Sequence, residues 1–193
     1  MIYLWYVSLI FIAFGAMEAI AWALHKYVMH GFLWHMHEDH HRPHDHHLEK
    51  NDLFALVFGI PSWLFIMFGV MDGLDYKLYI GVGITLYGIC YVLVHDGLIH
   101  QRLKIFRSIE TPWLIALRKG HKVHHKKRGK EDGECFGMLL VPFKYYREAK
   151  AYTTKLQKTR ARGSKMQVSH ACPDGVGGTH GPDSYRDHGE YKE

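Results

Sequence analysis

The sequence predicts an all-α fold: an integral-membrane helical bundle with three spans, room for a fourth or a re-entrant segment, and a pair of metal positions built from histidine boxes at its cytoplasmic end. Three observations predict it. Three long runs are almost free of charge, most of the Lys and Arg lie after the third, and most of the 17 histidines fall in four clusters that repeat two spacings.

A chain of 193 residues is one domain's worth. Its formal net charge is +5, and its slightly negative mean hydropathy would suit a soluble protein. That average conceals an apolar first half joined to a charged second half. The cysteines, Cys90, Cys135 and Cys172, form no C-x-x-C pair. Neither a disulfide framework nor a thiolate metal site is expected. No nucleic-acid partner is expected either.

Ile2 to Leu24 is apolar except for Glu18 and is long enough to cross a bilayer, which takes about 20 helical residues. A cleaved leader is the alternative, since Ala21-Trp22-Ala23 resembles a cleavage site. A leader opens on positive residues, however, and none precedes Lys26. Leu53 to Met71, with Pro61, is the second run, and Leu78 to Val94 is the third. Joined only by Asp72 to Lys77, they read as a membrane hairpin. That turn carries Asp72, Asp75 and Lys77, whereas Lys26, Arg42 and Lys50 lie between the first two spans. Positive flanks stay inside, so the turn and the N-terminus are expected outside. Gly59, Gly69, Gly81, Gly83 and Gly88 suit close span packing, or a slot for a long substrate.

Thr111-Pro112 reads as an N-cap followed by Pro at the first helical position. Trp113, Leu114 and Leu117 would give the next helix an apolar face for the membrane interface. The patch from Phe136 to Phe143 is too short to span. Tyr145 to Ala161 is helix-prone and basic, and reads as a solvated or lipid-facing helix. Gly, Pro and polar residues dominate from Gly163 onward, which predicts a disordered tail over 163–193.

His25 and His30 form an H-x4-H box, and so do His95 and His100. His37, His40 and His41 form an H-x2-H-H box, and so do His121, His124 and His125. Each H-x4-H box begins where an apolar run ends. On a helix, positions i, i+3 and i+4 share one face, so each triplet can converge on one point. Positions i and i+5 diverge by about 140° on a regular helix. Either the helix ends or bulges between the two histidines, as Gly31 and Gly97 would permit, or the two serve different ions. With three spans, all four boxes meet on one side of the membrane.

Ten imidazoles exceed the needs of one ion and suit two, with four or five nitrogens each. Imidazole accepts zinc, copper, iron or nickel, so ligand type alone does not select the metal. Iron follows from the setting: a buried lipid offers mainly C–H bonds, and their oxidation needs activated O2. No catalytic residue is expected beyond the metal ligands. His35, His44, His46 and His47 lie outside the pattern. Glu18, about 10 Å deeper than His25 along the helix, and Asp39 and Asp96 inside the boxes are candidates to accept a hydrogen bond from a ligating imidazole.

His37-Glu38-Asp39-His40-His41 also fits the H-E-x-x-H pattern of zinc proteases. Lys122 replaces the Glu in the matching box, and the protease reading leaves the other boxes unexplained. A soluble di-iron bundle would need paired Glu-x-x-His motifs, and only Glu38-His41 has that spacing. A metal carrier or sensor would want a less crowded site.

The strings His25-Lys-Tyr-Val-Met-His-Gly31, His35-Met-His-Glu-Asp-His-His-Arg-Pro43, Val94-His-Asp-Gly-Leu-Ile-His-Gln-Arg102 and His121-Lys-Val-His-His125, with Gly133-Glu-Cys-Phe-Gly137 following, resemble the fatty-acid hydroxylase superfamily. They are most similar to its bacterial beta-carotene 3-hydroxylases. The resemblance covers about Glu18 to Pro142. It implies a non-haem di-iron monooxygenase over residues 1–162. Its activity would be O2-dependent hydroxylation of the β-ionone rings of β-carotene at C3, giving β-cryptoxanthin and zeaxanthin. The second oxygen atom would leave as water, and ferredoxin or a similar donor would supply electrons. The ten box histidines would be the ligands. A related hydroxylase or ketolase acting on a fatty acid, a sterol or another carotenoid would carry similar boxes. The superfamily is often drawn with four spans, which directs attention to Leu103 to Leu117.

Overall fold

The computed structural model describes residues 2–42, 48–102, 106 and 109–169. All regular structure among them is helical. Helix α1 (Ile2–Ala23) continues into a π-helical turn (Leu24–Phe32). Short α2 (Trp34–His37) and a 3-10 turn (Glu38–His41) follow. Another 3-10 turn (Lys50–Leu53) leads into α3 (Phe54–Met71). Helix α4 (Tyr76–Val92) returns and ends in a second π-helical turn (Leu93–Ile99). Helices α5 (Pro112–His125) and α6 (Phe143–Ser169) complete the fold.

Three helical stretches are long and apolar enough to cross a membrane: Tyr3–Phe32, Lys50–Met71 and Tyr76–Ile99. Their flanks expose large apolar side chains, including Leu4, Phe11, Trp63 and Leu86. In water such a belt would be costly; against lipid tails it is the expected surface. Helix α5, with 14 residues, is too short to span. No fourth span occurs among the described residues.

Helix α4 is central and packs against both α1 and α3. Small residues set these contacts. A Cβ on Gly83 would lie 2.5 Å from the Ile10 carbonyl oxygen, and one on Gly81 would lie 2.9 Å from Ile66 N and Ser62 O. Gly59 and Gly88 differ, because a Cβ there would meet nothing within 4 Å. Both line a cavity bounded by α1, α3 and α4. The glycines thus divide between close packing and open space, the two roles the sequence left side by side.

Helix α5 starts at Pro112 as expected, although the Thr111 side chain makes no capping hydrogen bond. Its apolar face does not meet lipid alone: Ala116 and Leu117 are fully buried, and α5 packs on α6. Helix α6 buries Tyr145, Ala149 and Thr153, an i, i+4, i+8 stripe. It also runs through Gly163 to Ser169, so residues 163–169 are helical rather than part of a disordered tail. The rest of that expected tail, with Cys172, lies outside the described residues.

Candidate metal centre

The four histidine boxes meet at one end of the bundle and sort into two groups. The first contains His25, His30, His37, His41 and His124, all buried, with one ring nitrogen from each lying within 4.8 Å of the others. The second contains His40, His95, His100 and His121 on the same criterion. His125 joins it, with Nε2 at 2.8 Å from Nε2 of His121.

The π-helical turns account for the H-x4-H spacing. A π turn closes an i to i+5 hydrogen bond, one residue wider than an α turn. His100 N–H donates to the His95 carbonyl at 2.9 Å, and Leu33 N–H donates to that of Val28 at 3.0 Å. Residues five apart therefore stack on one face, with ring centroids 5.3 Å apart for His25 and His30 and 4.5 Å for His95 and His100. Gly31, at φ −102° and ψ −122°, breaks helical geometry directly after His30. Of the two sequence-level options, the bulge is the one adopted, and both members of each pair serve one group.

The triplets correct an expectation. Three rings at i, i+3 and i+4 do not converge on one point. His37 and His41 enter the first group while His40 enters the second. In the matching box His121 and His125 enter the second while His124 enters the first. Each group thus holds one H-x4-H pair, the outer pair of one triplet and the middle ring of the other. The i+3 ring leans to the opposite side of the stripe from i+4, enough to cross between adjacent groups. The groups abut, with the His41 and His125 rings stacked at 4.5 Å.

Hydrogen bonds fix the tautomers of the first group. Nδ1–H donates to the Phe136 carbonyl from His25 (3.0 Å), to Lys130 O from His30 (3.1 Å), to Lys127 O from His41 (3.0 Å) and to Glu134 O from His124 (2.9 Å). His37 Nδ1–H donates to Asn51 Oδ1 at 2.7 Å. With the proton on Nδ1, each neutral ring presents a lone pair at Nε2. Nε2 of His37 lies 3.1 Å from those of both His25 and His41, and Nε2 of His30 lies 3.2 Å from that of His124. Converging lone pairs repel unless a cation sits among them, so the donor set fits a metal ion.

The second group is held differently. His40 Nδ1–H donates to Glu49 at 2.6 Å and His95 Nδ1–H to Asp96 at 2.7 Å. Arg102 pairs with Glu49 and, at 3.0 Å, with Asp52. Burial, then neighbouring imidazoles, lowers the pKa of His40, His100, His121 and His125, that of His100 to about 3. In the first group His124 is lowered to about 2. Burial lowers His37 to about 3 and His41 to about 4, again with help from nearby rings. A neutral imidazole is the form a metal requires.

Of the three acids nominated as imidazole partners, Asp96 takes that place. Glu18 instead accepts from Tyr87 and from backbone amides of residues 138–140. Asp39 accepts from Lys50 N–H at 2.8 Å, and its buried Oδ1 has no hydrogen-bond partner. Neither faces a ring nitrogen, because their helical positions aim them at a loop and at the next turn. Sequence reasoning passed over Glu49 and Asn51. Their signal was an acid and an amide immediately before the second span, level with the boxes. Glu38, the base of the protease reading, pairs with Arg42 at the surface. His35 is exposed, and His44, His46 and His47 lie outside the described residues.

An apolar cavity of about 960 Å³ ends on this centre. Its wall includes Phe54, Phe58, Trp63 and Ile84, and His25, His37, His40 and His95 from both groups. Small-molecule pockets commonly reach about 300–1,000 Å³, which places this one at the large end.

Fold and site together define a multi-span helical membrane protein with a double histidine centre beneath an apolar cavity. The chain belongs to the fatty acid hydroxylase family, whose model matches residues 10–144. It is therefore an enzyme of the hydroxylating type. It is 41% identical to the beta-carotene hydroxylase of Pantoea ananas over 74% of this chain and 81% of that protein. Identity to the beta-carotene hydroxylase of Pseudescherichia vulneris is 38%, over 82% and 87% of the two chains. Beta-carotene 3-hydroxylase 1, chloroplastic, of Arabidopsis thaliana is 38% identical over 63% of this chain and 39% of its own length. No solved structure matches.

Proposed function

We propose that this protein hydroxylates the β-ionone rings of β-carotene at C3, giving β-cryptoxanthin and then zeaxanthin. The observation that carries this reading is the apolar cavity whose wall contains His25, His37, His40 and His95. A lipid-soluble hydrocarbon entering from the membrane would reach the centre without crossing water. The similarity to beta-carotene hydroxylases over most of the chain supports the choice of substrate.

The ten box histidines would hold two non-haem iron ions, which supply activation of O2 for attack on an unreactive C–H bond. The chain's own part is positioning and exclusion. Phe54, Phe58, Trp63 and Ile84 would grip the ring and displace water. Asn51, Glu49, Asp96 and the backbone carbonyls of residues 127–136 would hold the rings in orientation. One oxygen atom of O2 would enter the C–H bond as the hydroxyl, and the other would leave as water, taking up two protons and two electrons, the electrons from an external donor such as reduced ferredoxin. The positive flanks support a centre on the cytoplasmic face with the N-terminus outside.

Expression in a bacterium that accumulates β-carotene tests this reading. Hydroxylated pigments should appear by chromatography and mass spectrometry. Unchanged β-carotene beside folded, iron-loaded protein would remove the substrate assignment, and keto products would reassign the reaction.

A further inference from the structure

Glu18 lies two turns before His25 in an otherwise apolar helix and is only 8% exposed. The proposed reaction makes no use of it. Its Oε1 accepts from the amides of Met138 (3.0 Å), Leu139 (3.0 Å) and Leu140 (2.9 Å). Its Oε2 accepts from the Tyr87 hydroxyl at 2.8 Å and again from Leu139 N–H at 3.1 Å. Three successive amides turned on one carboxyl group form an anion cradle. Gly137 makes room for it: a Cβ there would stand 3.0 Å from Glu18 Oε1 and 2.5 Å from the Leu140 carbonyl oxygen.

The segment just before this cradle is the one that holds the first histidine group. The carbonyls of Lys127, Lys130, Glu134 and Phe136 receive the Nδ1–H of His41, His30, His124 and His25. Four of the five rings therefore depend on one strap, residues 127–136. The strap has no regular secondary structure, and Asp132 and Cys135 have positive φ. Such a segment keeps its carbonyls aimed only if both ends are tied. One end continues from α5; the other is the cradle on Glu18, which is itself tied to α4 through Tyr87. In the second group the Nδ1 partners of His40 and His95, Glu49 and Asp96, lie on other elements.

We propose that Glu18 is a positioning residue for the first metal position and not for the second. It clamps the strap to α1 and α4, and the strap sets the tautomer and aim of four rings. This rests on the reading that the ten histidines hold two ions.

The full-length protein in detergent, loaded with iron, tests the proposal through metal content and release to a chelator. Wild type should hold about two ions per chain. Loss of a group that orients a ligand typically weakens metal affinity by about 10–100-fold. Glu18→Leu should therefore hold about one ion, with release of the other accelerated by that factor. Glu18→Gln keeps an acceptor for the three amides and should retain both ions. Gly137→Ala distorts the cradle from the other side and should reproduce the selective loss, which keeps the test open if Glu18→Leu fails to fold. Parallel loss of both ions from folded Glu18→Leu would overturn the proposal in favour of a general structural role. Unchanged release kinetics in both Glu18→Leu and Gly137→Ala would overturn it as well. Wild type holding at most one ion would instead refute the two-ion reading beneath it.

Discussion

His124 is fully buried, and its two nitrogens have separate tasks. Nδ1–H donates to the Glu134 carbonyl, and Nε2 faces Nε2 of His30. Replacing it with Ala removes one lone pair and leaves a polar carbonyl unsatisfied. His124→Ala should lose the first ion, halve the bound iron and abolish activity, as metal analysis and pigment assay would show. Proton linkage gives a second expectation at this scale. Burial lowers His37, His41 and His100 from 6.5 to about 3, 4 and 3. Between those values the unfolded chain binds more protons than the folded one. Stability of the metal-free protein is therefore fully present above about pH 6.5 and declines as pH falls toward 4 and 3. Thermal unfolding of metal-free protein across that range checks the sign; a midpoint that rises on acidification would contradict it.

At the level of elements, the π-helical turns convert a five-residue spacing into a shared face. An ordinary α turn does the same for a four-residue spacing. Deleting exposed Tyr27 should let the turn relax to α-helix with both histidines of that box still on one face. That variant should retain most of its iron, whereas His30→Ala should not; iron analysis of the purified proteins distinguishes them. The cavity yields another expectation. A side chain on Gly88 would enter open space in the cavity that ends on the centre. Gly88→Leu should displace the substrate, and a misplacement of about 1 Å can cost about 10²-fold in rate. Turnover should fall by that order with iron content unchanged, whereas an equal loss of iron would show that the change disturbs packing instead.

For the whole molecule, orientation follows from charge. The turn between α3 and α4 is expected outside and the α5–α6 end in the cytoplasm. In a cysteine-free background, Leu74→Cys should react with an impermeant thiol reagent added outside intact cells, and Lys126→Cys only after lysis. The reverse pattern would invert the topology. Much of this architecture was legible from residue order. Three runs almost free of charge specify three helices long and apolar enough to cross a membrane, because lipid offers backbone groups no partner. Box spacing picks out the imidazoles that gather at one end of the bundle, because only histidine repeats at those positions. Other features were not legible, for a physical reason. The Phe136 carbonyl that orients His25 lies 111 residues away, and a backbone carbonyl carries no signature in its side chain. The crossing of His40 and His124 into opposite groups depends on how two helices approach. Glu18 could be marked from sequence as an anomalous acid in an apolar helix. Its partners at residues 138–140 exist only because the chain folds back across the bundle. Local periodicity thus determined which side chains are available, and tertiary structure decided which group each serves and what holds it there.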